Sequence, residues 1–143
     1  MVPVELQLPF AASKLLPHRP PMILVDQLID FSPGQGRVTA SIGSGDLFVC
    51  DDGQLETVAL IEMVAQAYAT IKGYDDTLNQ RPVQRGFLVG GRSFNIHRQA
   101  QSAEQLIIDI KTAAQLDGFA VIDGVITCGE EVIAEGSVKL WLP

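Results

Sequence analysis

Between residues 58 and 71 the chain has almost no polar side. Val58, Leu60, Ile61, Met63, Val64, Tyr68 and Ile71, with four alanines between them, would surround a helix on every face. A helix that is apolar all round must be enclosed, because a surface helix keeps one polar face. The rest of the chain therefore has to wrap it. The run is no membrane span: Glu62, Gln66 and Thr70 interrupt it, and crossing a bilayer takes about 18 apolar residues in a row. A carboxylate in the middle of an enclosed helix is costly unless something bonds it or uses it.

The flanking segments read as strands and turns. Residues 11–16 suggest a short helix, ended by Pro17, Pro20 and Pro21. Residues 22–31 and 37–42 read as two strands around the turn Ser32-Pro33-Gly34-Gln35-Gly36. A loop rich in Gly and Asp covers 43–55. The long helix then opens at Gln54 or Leu55, with Glu56 at the positive end of its dipole, and Gly73 reads as its stop. After it come four strands, 86–97, 105–113, 119–128 and 131–142, with turns at Asp117-Gly118 and Gly129-Glu130. One long helix enclosed by a curved, mostly antiparallel sheet is the hotdog fold, of the α+β class. Residues 1–143 make a single domain of it. The exposed sheet edge of such a domain commonly pairs with a second copy, so we expect a homodimer, or a heterodimer with another hotdog subunit.

Charge and cysteine content narrow the function. The net charge of −7 argues against a nucleic-acid partner, which needs clustered cations. Two cysteines without a Cys-X-X-Cys pair argue against a disulfide scaffold or a zinc site, and no ligand cluster implies another metal. Residues 1–10 are neither basic nor a long apolar run, so the reading is cytoplasmic, without a signal peptide. No Gly-rich phosphate loop implies a nucleotide cofactor. Five of the ten cations fall between residues 72 and 98, among them Arg81, Arg85, Arg92 and Arg98. They read either as a solvated surface or as a landing patch for an acidic partner.

Glu62 carries the sharpest chemical signal. It is either a buried carboxylate satisfied by backbone amides or a proton-transfer group facing a pocket, and we read it as the latter. Gln66, four residues on, shares its face. His18 lies among prolines that fix its backbone. His97 reads as a strand-end surface residue, Cys50 as an inert thiol, and Asp51 and Asp52 as loop and capping residues.

Residues 16–26, Leu-Pro-His-Arg-Pro-Pro-Met-Ile-Leu-Val-Asp, closely resemble the opening motif of 3-hydroxyacyl-acyl-carrier-protein dehydratases of the FabZ type. Leu60-Ile61-Glu62-Met63-Val64-Ala65-Gln66 resembles their helix motif, in which the Glu is catalytic. Gly86-Phe87-Leu88-Val89-Gly90 and the last forty or so residues resemble their later strands. The resemblance implies acid/base elimination of water from a 3-hydroxyacyl thioester in fatty-acid or aryl-polyene-type biosynthesis. It implies no cofactor beyond the phosphopantetheine of a carrier protein, or coenzyme A, that carries the substrate. The acyl carrier protein or acyl-CoA would be the partner. By the same resemblance Thr57 and Val58 hold the thioester oxygen, and Gln66, Phe87, Val89 and Gly90 contact the substrate.

One departure is marked. The family's second catalytic residue is a His in a His-Phe-Pro-Gly loop, fourteen residues before the Glu. That position here is Phe48, and residues 20–96 hold no histidine. The replaced loop looks more like the ApeP-like branch. His18 is then the candidate for the second proton carrier. Two other functions suit the same fold, an acyl-thioester hydrolase and a non-catalytic partner subunit.

Overall fold

The apolar segment forms one 22-residue helix, α1 (Thr57–Leu78). The computed structural model describes residues 2–143, with only the backbone of Arg92. Seven strands surround the helix: β1 (Phe10–Ala11), β2 (Gln27–Ser32), β3 (Gln35–Ser41), β4 (Phe87–Ile96), β5 (Gln105–Leu116), β6 (Phe119–Cys128) and β7 (Glu131–Trp141). They form one antiparallel sheet in the order β1-β2-β3-β5-β6-β7-β4. Alternate residues of β3, β5, β6 and β7, such as Val38, Ile108, Ile122 and Val138, are wholly buried, and so are Leu60, Val64 and Ala67 of the helix. This is the period-two strand pattern meeting an apolar helix. The sheet curls closely enough that a Cβ on Gly124 would stand 2.8 Å from both methyls of Val64. We expect Gly124→Ala to destabilise the protein by about 2 kcal/mol through overpacking, seen as a lower urea midpoint; an unchanged midpoint would show that the sheet can back away.

Several boundaries differ from the sequence reading. The helix starts at Thr57 and runs through Gly73 to Leu78. Gly73 is a packing site: a Cβ there would come within 3.4 Å of both Leu15 and Val83, so the small residue lets the N-terminal segment cross the helix. Residues 22–26 lie outside the ladder, and the strand begins only at Gln27. Part of the reason is that the Leu24 amide donates to the side chain of Gln66 instead of to a neighbouring strand. The segment 11–16 forms a 3-10 turn, Ala12–Lys14, in place of a helix. β5 extends to Leu116, with a bulge between Thr112 and Ala114.

The helix is also not enclosed all round. Val58 is 59% exposed, and Ile61, Glu62 and Ala69 are half-buried. This open stripe borders β4, which lies at the end of the strand order and leaves Phe87 and Val89 more than half exposed.

Candidate active site

His18 and Glu62 meet at the open stripe. The path of residues 12–19 places the histidine. Leu15 and Leu16 are buried as anchors, and Arg19 curls the segment by donating from Nη1 to the carbonyls of Leu16 and His18 at 2.9 and 2.7 Å. His18 Nε2 then stands 3.6 Å from Glu62 Oε1, with the two side chains 30% and 27% exposed. That separation is beyond a hydrogen bond but close enough for one proton to be exchanged after a small movement. The other ring nitrogen, Nδ1, is buried without a hydrogen-bond partner.

Gln66 ties the two sides together. It is 1% exposed, and its Nε2 donates to Glu62 Oε1 at 3.2 Å and to the Met22 carbonyl at 2.9 Å. Its Oε1 accepts from the Leu24 amide at 2.8 Å. One buried amide therefore orients the carboxylate and clamps the segment that follows the histidine.

A cavity of about 200 Å³ opens beside the pair. Its floor is the stripe Glu62, Ala65, Gln66, Ala69 and Lys72, spaced by three and four residues along α1. Gly86, Phe87 and Leu88 also line it, with Leu140, the partner of Leu88 across the sheet, and Leu142 beside Gly86. Of the expected substrate contacts, Gln66 and Phe87 line this cavity. Thr57, Val58, Val89 and Gly90 lie outside it, exposed on the helix start and the β4 strand. No side chain caps the helix start. The stepping from Glu62 to Ala65, Ala69 and Lys72 is legible as helical periodicity. Leu140 and Leu142 carry no local signal at all.

Arg81, Arg85 and Arg98 do not gather into one free patch. Arg81 Nη2 pairs with Asp75 and Asp76 at 3.0 and 3.1 Å. Arg98 pairs with Glu104 at 2.8 Å and Glu131 at 3.0 Å. Arg85 and Arg98 flank the two ends of the ten-residue strand β4, which places them roughly 30 Å apart at about 3.3 Å per residue. Arg85 is exposed, and the side chain of Arg92 lies outside the described residues. The physical reason is local: each bound arginine sits beside acids of its own turn or neighbouring strand.

The Arg98 guanidinium, with help from the Gln101 amide, holds the Glu104 carboxyl down at about 2, against the desolvation that would raise it. A depressed carboxylate stabilises the fold above its unfolded value, and that contribution is lost as pH falls from about 4.5 towards 2. Arg98→Ala should cost about 2 kcal/mol at neutral pH and flatten the fall of stability across that acid window. Urea midpoints at pH 6 and pH 3 check this; parallel profiles for both proteins would refute it.

Neither cysteine is activated. A hydrogen bond to Glu56 at 3.2 Å pushes the Cys50 thiol up, and burial does the same for Cys128. His97 pairs with Glu135 at 2.9 Å on the surface. Among the described residues no cluster of three or more His, Cys, Asp or Glu could hold a metal ion. No helix among them is long and apolar enough to cross a membrane.

Comparison with known proteins bears on the fold and the family. The chain is 26% identical over 132 residues to the 3-hydroxyacyl-[acyl-carrier-protein] dehydratase FabZ of Blochmanniella pennsylvanica, covering 87% of this chain and 85% of that one. It is 28% identical over 139 residues to the FabZ of Anaeromyxobacter sp. strain K, covering 90% and 86%. Its fold matches that in the dehydratase heterocomplex ApeI:P from Xenorhabdus doucetiae with a TM-score of 0.87 and 25% identity, over 94% of this chain and 91% of that one. The hotdog architecture expected from the sequence is therefore the observed one. The family model of the ApeP dehydratase matches residues 10–143, nearly the whole length, and the chain belongs to the ApeP-like dehydratase family.

Proposed function

We propose that this protein removes water from 3-hydroxyacyl thioesters carried on the phosphopantetheine of an acyl carrier protein, with Glu62 and His18 as the two proton carriers. The observation that carries this reading is the 3.6 Å approach of His18 Nε2 to Glu62 Oε1 at the mouth of an acyl-sized cavity. Dehydration breaks the C2–H bond and the C3–O bond and leaves a C2=C3 double bond. One member of the pair takes the C2 proton, and the other gives a proton to the departing hydroxyl. The pair then passes the proton between its members, so the resting state returns without an external acid.

The thioester oxygen gains negative charge as the C2 proton leaves. The amides of Thr57 and Val58, at a helix start with no side-chain cap, suit that charge, and Val58 lies one turn from Glu62 on the same face. The exposed apolar residues of β4 and the open helix stripe lie together. A second hotdog subunit, as in the heterocomplex ApeI:P, would cover them and close the site from above.

The test is mass spectrometry of a 3-hydroxyacyl carrier-protein thioester incubated with the full chain, alone and with a second hotdog subunit. Loss of one water from the acyl group supports the reading. Release of free carrier thiol replaces it with hydrolysis. No reaction across several chain lengths in either setting leaves a non-catalytic subunit.

A further inference from the structure

The cavity beside Glu62 ends at a wall, and open space lies beyond it. Tyr68 and Lys72 line both the 200 Å³ cavity and a second cleft of about 410 Å³, whose other walls include Pro33, Gly34, Thr112 and Gln115. These are the two residues the cavities share. The wall is held on both sides. Tyr68 is buried, and its hydroxyl accepts from Gln115 Nε2 at 3.4 Å on the cleft side. Lys72 Nζ donates to Asp76 Oδ1 at 2.6 Å. Asp76 is itself 1% exposed and accepts from Arg81 Nε at 3.2 Å and the Gln84 amide at 3.3 Å. Burial alone would push the Asp76 carboxyl up, but these donors hold it below its ordinary value, so it remains an anion for Lys72.

Size decides what such a wall does. At roughly 30 Å³ per heavy atom, the share of one water in the liquid, the first cavity takes about seven heavy atoms. From Glu62 to Tyr68, where the wall begins, the helix floor is only about 9 Å long, at about 1.5 Å per residue. A medium-length acyl chain therefore reaches Tyr68 and Lys72 and stops, although the space behind them is larger.

We propose that Tyr68 and Lys72 form the end wall of the acyl pocket and set the longest chain the site accepts. The proposal deepens the dehydratase reading and rests on it for the identity of the ligand.

The test measures calorimetric binding of hexanoyl- and decanoyl-pantetheine to the full chain. These thioesters lack the 3-hydroxyl and cannot be dehydrated, so binding is read apart from turnover. The wild type should prefer the hexanoyl thioester by about tenfold, because surplus methylenes overpack a filled pocket. Lys72→Ala and Tyr68→Leu each join the cleft to the pocket and should move that ratio by about tenfold towards decanoyl. Asp76 keeps Arg81 and the Gln84 amide in Lys72→Ala, and the second variant stands on a different residue if one fails to fold. Lys72→Met keeps the bulk without the charge and should retain the hexanoyl preference. Equal binding of the two thioesters by the wild type overturns the proposal. So does an unmoved ratio in a folded wall variant, or a Lys72→Met ratio shifted as far as that of Lys72→Ala. A shifted binding ratio with no dehydration of any 3-hydroxyacyl substrate keeps the wall and removes the dehydratase reading; dehydration with an unshifted ratio does the reverse.

Discussion

Glu62→Gln is expected to lower kcat/KM for dehydration about a thousandfold, the typical worth of one positioned proton carrier, while leaving the fold intact. The substitution keeps the shape of the side chain. Glu62 is 27% exposed, so no fully buried charge is created or stranded. The urea midpoint should therefore stay within about 0.5 kcal/mol of wild type. His18→Ala should cause a loss of similar size. If the two residues act on one proton cycle, the double variant should be little worse than either single one, because groups working as a unit are not additive. Steady-state kinetics on the three variants decide this. Dehydration that survives His18→Ala at near wild-type rate would remove His18 from the second role. Two large losses that multiply would show that the residues act in separate steps.

Gln66→Met should damage both stability and rate. The amide is 1% exposed and makes three hydrogen bonds, to Glu62, Met22 and Leu24. Methionine fills the volume but leaves the Leu24 amide and the Met22 carbonyl without their partner. At about 1–3 kcal/mol for each stranded group, the loss should be about 3 kcal/mol. The rate should also fall, because the segment that follows His18 is no longer clamped to the helix and Glu62 has lost its donor. A purely structural role would leave kcat unchanged well below the melting temperature. We expect kcat to fall about tenfold there, with a smaller change in KM, as positioning losses do. Wild-type kcat in the folded variant would confine Gln66 to a packing role.

The arginines show what a charge count along a sequence leaves open. Arg81 and Arg98 stand out as cations in an acidic chain, yet each is held by carboxylates: Asp75 and Asp76 for one, Glu104 and Glu131 for the other. Asp75 and Asp76 are near Arg81 in the chain, but Glu131 is brought to Arg98 only by the pairing of β4 with β7. A charge count along the chain cannot tell a free cation from one already bonded across a sheet. Gly73 makes the same point for backbone. Glycine often ends a helix, and nothing local shows that here it lets Leu15 cross closely.

The sequence by itself determined the long apolar helix, the strands that follow it, and the face shared by Glu62 and Gln66. Those features depend on helical and strand periodicity and on turn chemistry, which act over a few residues. The turn at Asp117-Gly118, with both residues at positive φ, is of this kind. The prolines around His18 marked it as a fixed group, and resemblance to a family suggested its role as second proton carrier. Only the tertiary structure decided that its ring stands 3.6 Å from Glu62, that Leu140 and Leu142 join the same cavity, and that Tyr68 and Lys72 separate it from a second one. Those contacts join parts of the chain far apart in sequence. They exist because the sheet curls around one helix and brings its distant strands to the same stripe, a geometry fixed by packing of the whole core and by no local preference.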